Sequence, residues 1–179
     1  MKKISIFILI LVLSVSSFAQ DRKYDVAAFL YPAYAADDPR LTPFWPKGIG
    51  EWETVMSVQD RFPGHYWKRE PVWGYINEAD PAVMEMEINQ AVKHGVNVFI
   101  FDWYWYDGKP FLQQCLDNGF LGAKNNDRMK FYLMWANHDA NNYWNKDLSD
   151  TYGGTVIWKG AVGRPVFETV VNRVIEKYF

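Results

Sequence analysis

An α/β fold built on a parallel sheet is predicted for this 179-residue chain by three observations. Short β-branched and aromatic runs alternate with helical patterns, the arrangement of strands paired through covering helices. Each apolar run is followed at once by polar and aromatic residues. The glycine-rich turn that cradles a dinucleotide is missing after the first run, where Tyr31-Pro32-Ala33-Tyr34 stands instead. A doubly wound open sheet and the first part of a (β/α)8 barrel both satisfy the alternation. The gathering of polar and aromatic residues after each strand matches the face on which barrels carry their chemistry. Both architectures stay open on these observations, with about three strand–helix units present.

The elements follow in order. Val26-Ala27-Ala28-Phe29-Leu30-Tyr31-Pro32 is a short apolar run stopped by proline and reads as a buried strand. Residues 33–79 hold five of the nine prolines and no helical period, so they form a long irregular segment of the functional kind. Asp80-Pro81 starts a helix, with Asp as cap and Pro at the first helical position. Met84, Ile88 and Ala91 give it one apolar stripe, and Gly95 ends it. Val96-Asn97-Val98-Phe99-Ile100-Phe101 is the second strand, with Asp102 at its end. Tyr106-Asp107-Gly108-Lys109-Pro110 is a turn, and a helix is expected from Pro110 to about Leu121. Lys130 to Trp135 is the third strand. A loop runs from Ala136 to about Gly163, and a last helix runs from near Pro165 to Phe179.

The N-terminus has its own pattern. Met1-Lys2-Lys3 is basic, Ile4 to Leu13 is unbroken apolar sequence, and Ser17 and Ala19 suit cleavage before Gln20. Residues 1–19 are expected to be a signal peptide, with secretion or delivery to the periplasm as its consequence. An uncleaved anchor is the alternative. The apolar run is short for a bilayer span. No Cys follows the cleavage site, so no stable membrane anchor is expected after signal removal. Residues 20–179 then form one unit.

Composition narrows the function. Without Lys2 and Lys3 the chain has 17 basic and 21 acidic side chains, a net charge near −4. It has no basic excess to spare for phosphates, so nucleic acid is not an expected partner. Aromatic residues are 18% of the sequence, nine of them Trp, and all nine lie beyond the leader. Indole and phenol rings pair an apolar face with a polar edge, which suits the C–H faces and hydroxyl rim of a sugar. The single Cys115 leaves no intramolecular disulfide and no cysteine zinc site, and reads as a buried thiol. His65, His94 and Asp139 have no ligand spacing, so neither a metal nor a cofactor is expected. The nucleophile-elbow pattern of serine hydrolases is absent.

Three constellations could carry chemistry. Phe101-Asp102-Trp103-Tyr104-Trp105-Tyr106-Asp107-Gly108-Lys109 sets a carboxylate beside four aromatics. Asp102 can bind hydroxyls while rings stack, or can hold loop amides. Alternation puts Asp102 and Tyr104 on one side of the strand and Trp103 and Trp105 on the other. An outward buried Asp would lack a partner, so Asp102 and Tyr104 are expected to face the site and Trp103 the core. Met134-Trp135-Ala136-Asn137-His138-Asp139 supplies a stacking face, an amide and an imidazole. Lys47-Gly48-Ile49-Gly50-Glu51-Trp52, with Pro63-Gly64-His65-Tyr66, supplies another carboxyl and more aromatics.

In this order the three constellations resemble the glycoside hydrolase family 99-like proteins, also called the WbsX-like glycan-processing family. The resemblance is carried by Gly48 to Trp52, Pro63-Gly64-His65-Tyr66, Asp102 to Lys109 and Trp135-Ala136-Asn137, and covers roughly Asp25 to Trp144. It implies a TIM-barrel-like (β/α)8 fold acting on oligosaccharides or polysaccharides, with residues 20–179 as its N-terminal portion, cut to about the first three strand–helix units. Some relatives are endo-acting α-mannosidases, and others are polysaccharide-biosynthesis glycosyltransferases. A non-catalytic carbohydrate-binding protein would use the same cleft. An exported chain would not meet cytoplasmic sugar nucleotides, so hydrolysis is the leading expectation. The implied substrate contacts are Tyr31, Glu51, Trp52, His65, Tyr66, Asp102, Tyr104, Trp135, Asn137 and His138. Where many relatives read Trp-Ala-Asn-Glu, this chain has His138, which removes a carboxylate or moves it to Asp139. The catalytic carboxylate pair of the hydrolase relatives lies beyond the matched part. Glu51, Asp102 and Asp139 are the local acidic candidates for catalysis, each better read as a substrate contact. The fragment is expected to be inactive by itself.

Overall fold

The computed structural model describes residues 24–36, 38–65, 70–144 and 155–179. The expected signal peptide and Tyr66 lie outside the described residues. The fold is mixed α/β. Three parallel strands form its centre: β1 (Ala27–Leu30), β2 (Val98–Tyr106) and β4 (Lys130–Trp135), with β2 in the middle. Ala27 faces Val98 across one side of β2, and Lys130 faces Val98 across the other. A short β3 (Lys109–Phe111) folds back antiparallel on the far end of β2. A separate two-stranded ribbon, β5 (Ala140–Asn141) with β6 (Val156–Trp158), lies beyond β4. The long segment after β1 carries one short helix, α1 (Trp52–Met56).

Side chains alternate across β2 and define two cores. Phe99, Phe101, Trp103 and Trp105 face the helices. There they meet Met84 and Ile88 of α2 (Pro81–Lys93), the π-helical turn Cys115–Phe120, and Val170 of α3 (Arg164–Tyr178). Tyr104 and Tyr106 point the other way, into a second core of loop residues that includes Ala33, Phe44, Trp45 and Phe111. Both long helices thus pack on one face of the sheet. Nearer the start of the strands the opposite face is open, with Phe29 54% and Tyr132 48% exposed.

The helix signals act as the sequence predicts. Asp80 caps α2 by accepting from the Ala82 amide at 2.8 Å, Pro81 occupies its first turn, and Gly95 turns away at φ 91°. Cys115 is buried, with its thiol 3.6 Å from Glu78 Oε2. The stretches read as loop carry α1 and the β5–β6 ribbon, and two further elements around β2 differ from expectation. The second strand continues through the aromatic run to Tyr106, so Asp102 sits mid-strand and does not end it. A strand buried on both faces has no polar alternation to reveal its length. The helix expected from Pro110 is replaced by β3 and the π-helical turn. Asp107 and Gly108, at φ 52° and 73°, make a two-residue hairpin turn. Leu112, at φ 57°, then breaks any helix begun at Pro110, and its amide donates to Asp38 Oδ2 at 3.3 Å.

Candidate functional site

The C-terminal half of β2 brings together the side chains that matter most. Asp102 is 8% exposed and shares its face with Tyr104. The Tyr104 hydroxyl donates to Asp102 Oδ2. Asp102 Oδ1 is buried and has no hydrogen-bond partner among the described residues. Burial raises the Asp102 carboxyl above its usual range, opposed by the Tyr104 bond, the nearby His138 and the Trp103 amide. The Tyr104 ring meets His138 edge-on at 5.8 Å and lies parallel to Tyr106 at 6.0 Å. Tyr106 donates from its hydroxyl to the His138 carbonyl at 3.0 Å, which ties the loop after β4 to β2.

Glu51 approaches from the segment after β1. Its amide donates to the Ala33 carbonyl at 2.9 Å. Gly50 permits this approach, because it lies at φ 63° and a Cβ there would sit 2.0 Å from the Ala33 oxygen. Burial raises the Glu51 carboxyl, and a Thr54 side-chain hydrogen bond opposes the shift. Tyr31 packs against the same core as Tyr104 and lies within electrostatic reach of both acids. Its phenol is raised first by burial and then by Glu51, with Tyr34, Asp102 and Tyr106 adding to it. Tyr31, Glu51, Asp102, Tyr104 and His138 therefore belong to one neighbourhood.

Trp135, Asp139 and His65 are held by partners outside this neighbourhood. Trp135 projects to the helix-covered face, stacked on Phe167 at 6.0 Å and edge-on to Trp103 at 6.3 Å, so it shares no ring face with Asp102. Asp139 accepts from the Gly160 amide and from Lys159, each at 2.9 Å, and both hold its carboxyl below the usual range. It fastens the β5–β6 ribbon. Asn137 is exposed. His65 Nδ1 accepts from the Arg61 amide at 3.2 Å, and its ring stacks on Phe62 at 4.7 Å within its own turn. Trp52 packs on Tyr34 at 4.4 Å and donates from its indole nitrogen to the Ile76 carbonyl at 2.6 Å.

Sequence reasoning missed Arg40. Its guanidinium donates to the carbonyls of Tyr106 at 2.8 Å and Pro110 at 2.9 Å and lies 4.4 Å from the Trp158 ring centre. It pins the β2–β3 turn from 66 residues away, so no local pattern announces it. Among the described residues no group of three His, Cys, Asp or Glu side chains gathers as a metal site would. Also among them, no helix is long and apolar enough to cross a membrane. The neighbourhood offers what a hydroxyl-rich ligand needs: an acceptor oxygen at a buried floor, phenols beside it, and ring faces around it.

Comparison with known proteins bears on the same segment. A family model described as Glycosyltransferase WbsX matches residues 26–153, which take in Tyr31, Glu51, Asp102, Tyr104 and His138. The chain is also similar to the uncharacterized protein WxcX of two strains of Xanthomonas campestris pv. campestris, B100 among them. In each the identity is 30% over 107 residues, 59% of this chain and 15% of the relative. The chain thus matches only a small part of the length of these curated relatives. No solved structure matches it significantly. The match covers well over half of the chain, and the chain belongs to the WbsX glycosyltransferase family.

Proposed function

We propose that this chain is a glycan-binding part of a polysaccharide-biosynthesis protein, and that the C-terminal half of β2 holds a sugar against Asp102. The observation that carries this reading is the unsatisfied Asp102 Oδ1. A buried acceptor without a donor costs about 1–3 kcal/mol. A sugar hydroxyl entering from Tyr31 and Tyr104 would supply that donor. Membership of the WbsX family supports a role in handling polysaccharide. The packing of both long helices on one sheet face supports the view that β1, β2 and β4 begin a (β/α)8 barrel.

Asp102→Asn is the direct test of the site. Asn keeps an acceptor for Tyr104 but loses the charge. Oligosaccharide affinity of the full-length protein is expected to fall about tenfold or more, the scale of a hydrogen bond to a charged group. The melting temperature is expected to change little. Unchanged affinity in calorimetric titration would reject Asp102 as a ligand contact.

Hydrolysis is the second reading, favoured by one observation. Residues 1–19 have the pattern of a signal peptide, and export would separate the protein from sugar nucleotides. Under this reading the protein acts in the periplasm or outside the cell. Full-length protein given a sugar-nucleotide donor and an oligosaccharide acceptor separates the two. Chain extension supports biosynthesis, whereas new reducing ends without a donor support hydrolysis. Mass spectrometry of the N-terminus in the exported fraction tests the leader, which predicts a chain beginning at Gln20.

A further inference from the structure

An unbroken series of ring contacts leads from the buried acid to the surface. Tyr31 meets Tyr34 edge-on at 6.2 Å, Tyr34 lies 4.4 Å from Trp52, and Trp52 meets Tyr75 edge-on at 5.3 Å. The hydrogen bond from Trp52 to the Ile76 carbonyl fixes the indole, so its faces are held in place. Tyr75, at the outer end, is 42% exposed. The series leaves that ring in solvent and has its inner ring, Tyr31, packed against the core that holds Tyr104, the donor to Asp102.

We propose that this aromatic path is an extended subsite for the second and later sugar rings of a neutral glycan chain whose first ring lies at Asp102. The inference rests on the glycan-binding reading above and deepens it, from sugar binding to recognition of a polymer. Rings held at fixed angles suit the C–H faces of successive pyranoses. A uronic acid in the path would set its carboxylate against Glu51 or Asp102, so the class of chain that fits carries no acid groups.

The test is calorimetric titration of the full-length protein with linear oligosaccharides of one to six residues. The manno, gluco, galacto and rhamno series are the neutral probes, and an oligogalacturonate is the acidic one. For a series that binds, affinity is expected to rise about five- to tenfold between the disaccharide and the tetrasaccharide, the scale of one aromatic contact. Tyr75→Ala is expected to remove this gain and leave disaccharide affinity and the melting temperature as they are. Tyr75→Phe is expected to preserve the gain. If Tyr75→Ala retains the length dependence, or weakens all lengths equally, the path is not a subsite. Tighter binding of the oligogalacturonate would overturn the assignment to neutral chains. If the wild-type protein binds no oligosaccharide in any series, the glycan-binding reading fails, and this inference fails with it.

Discussion

Trp103→Ala is expected to lower the unfolding free energy by about 3–5 kcal/mol, the range for removing a large buried aromatic. The Trp103 ring lies on the helix-covered face, stacked on Trp105 at 6.0 Å and edge-on to Trp135. The core around it joins β2 to α2, the π-helical turn and α3. The cavity left by the indole would thus open between elements that are distant in sequence and cannot all close on it. Urea unfolding followed by far-UV circular dichroism measures the loss. A midpoint equal to that of wild type would mean that the ring contributes nothing to the core. The contrast with Asp102 is the useful part. Neighbours in sequence, one is expected to govern stability and the other binding, because a strand turns successive side chains to opposite faces.

The second large effect concerns a half-buried acid away from Asp102. Burial, with Glu87 nearby, pushes the Glu78 carboxyl up to about 8, and burial pushes Glu87 up to about 7. Both exceed the ordinary value near 4.5, so between 4.5 and these values the folded chain holds protons that the unfolded chain has released. The stability they contribute is complete below about pH 4.5. It falls as pH rises and is lost above about pH 8 for Glu78. Each tenfold change in proton affinity on folding is worth about 1.4 kcal/mol, so the loss for Glu78 amounts to a few kcal/mol. Glu78→Gln keeps the side-chain shape and an acceptor for the Cys115 thiol but has no charge to bury. The variant is expected to match wild type at about pH 4.5 and to exceed it by a few kcal/mol at about pH 9. A stability difference that does not change with pH would show that Glu78 titrates as an exposed carboxyl does.

What the sequence makes legible here is local. The cap at Asp80-Pro81 and the stop at Gly95 lie within a few residues of what they govern, and α2 begins and ends accordingly. The three strands stand out because β-branched and aromatic runs lie between turn residues. The alternation of Asp102 and Trp103 follows from strand geometry, and the structure has them on opposite faces. The length of β2 is hidden by its own burial. The hairpin after it has a signal, Asp107-Gly108, but the proline that follows draws that stretch toward a helix. Other placements depend on partners far along the chain. Asp139 is held by Lys159 and Gly160, and Trp135 by Phe167. Arg40 reaches the turn after β2. Tyr34 and Tyr75 join through Trp52 only once residues 34–75 have folded back.

The central position of β2 also sets an order of assembly. Val98 lies 71 residues from its partner Ala27 in β1 but 32 from its partner Lys130 in β4. Closing the longer loop costs only about 0.7 kcal/mol more in chain entropy. The number of paired positions decides more: β4 aligns six residues with β2, and β1 aligns four. The β2–β4 pair with its π-helical turn can therefore form as a nucleus, and β1 docks onto it late. Pulsed hydrogen exchange during refolding would see protection in 98–106 and 130–135 before 27–30, and the reverse order would refute the scheme. Because β1 leads into Tyr31, and Ala33 anchors Glu51, the late strand brings half of the cleft with it. A folding intermediate would then present Asp102 and Tyr104 without their opposite wall, and glycan binding would report the last step of folding.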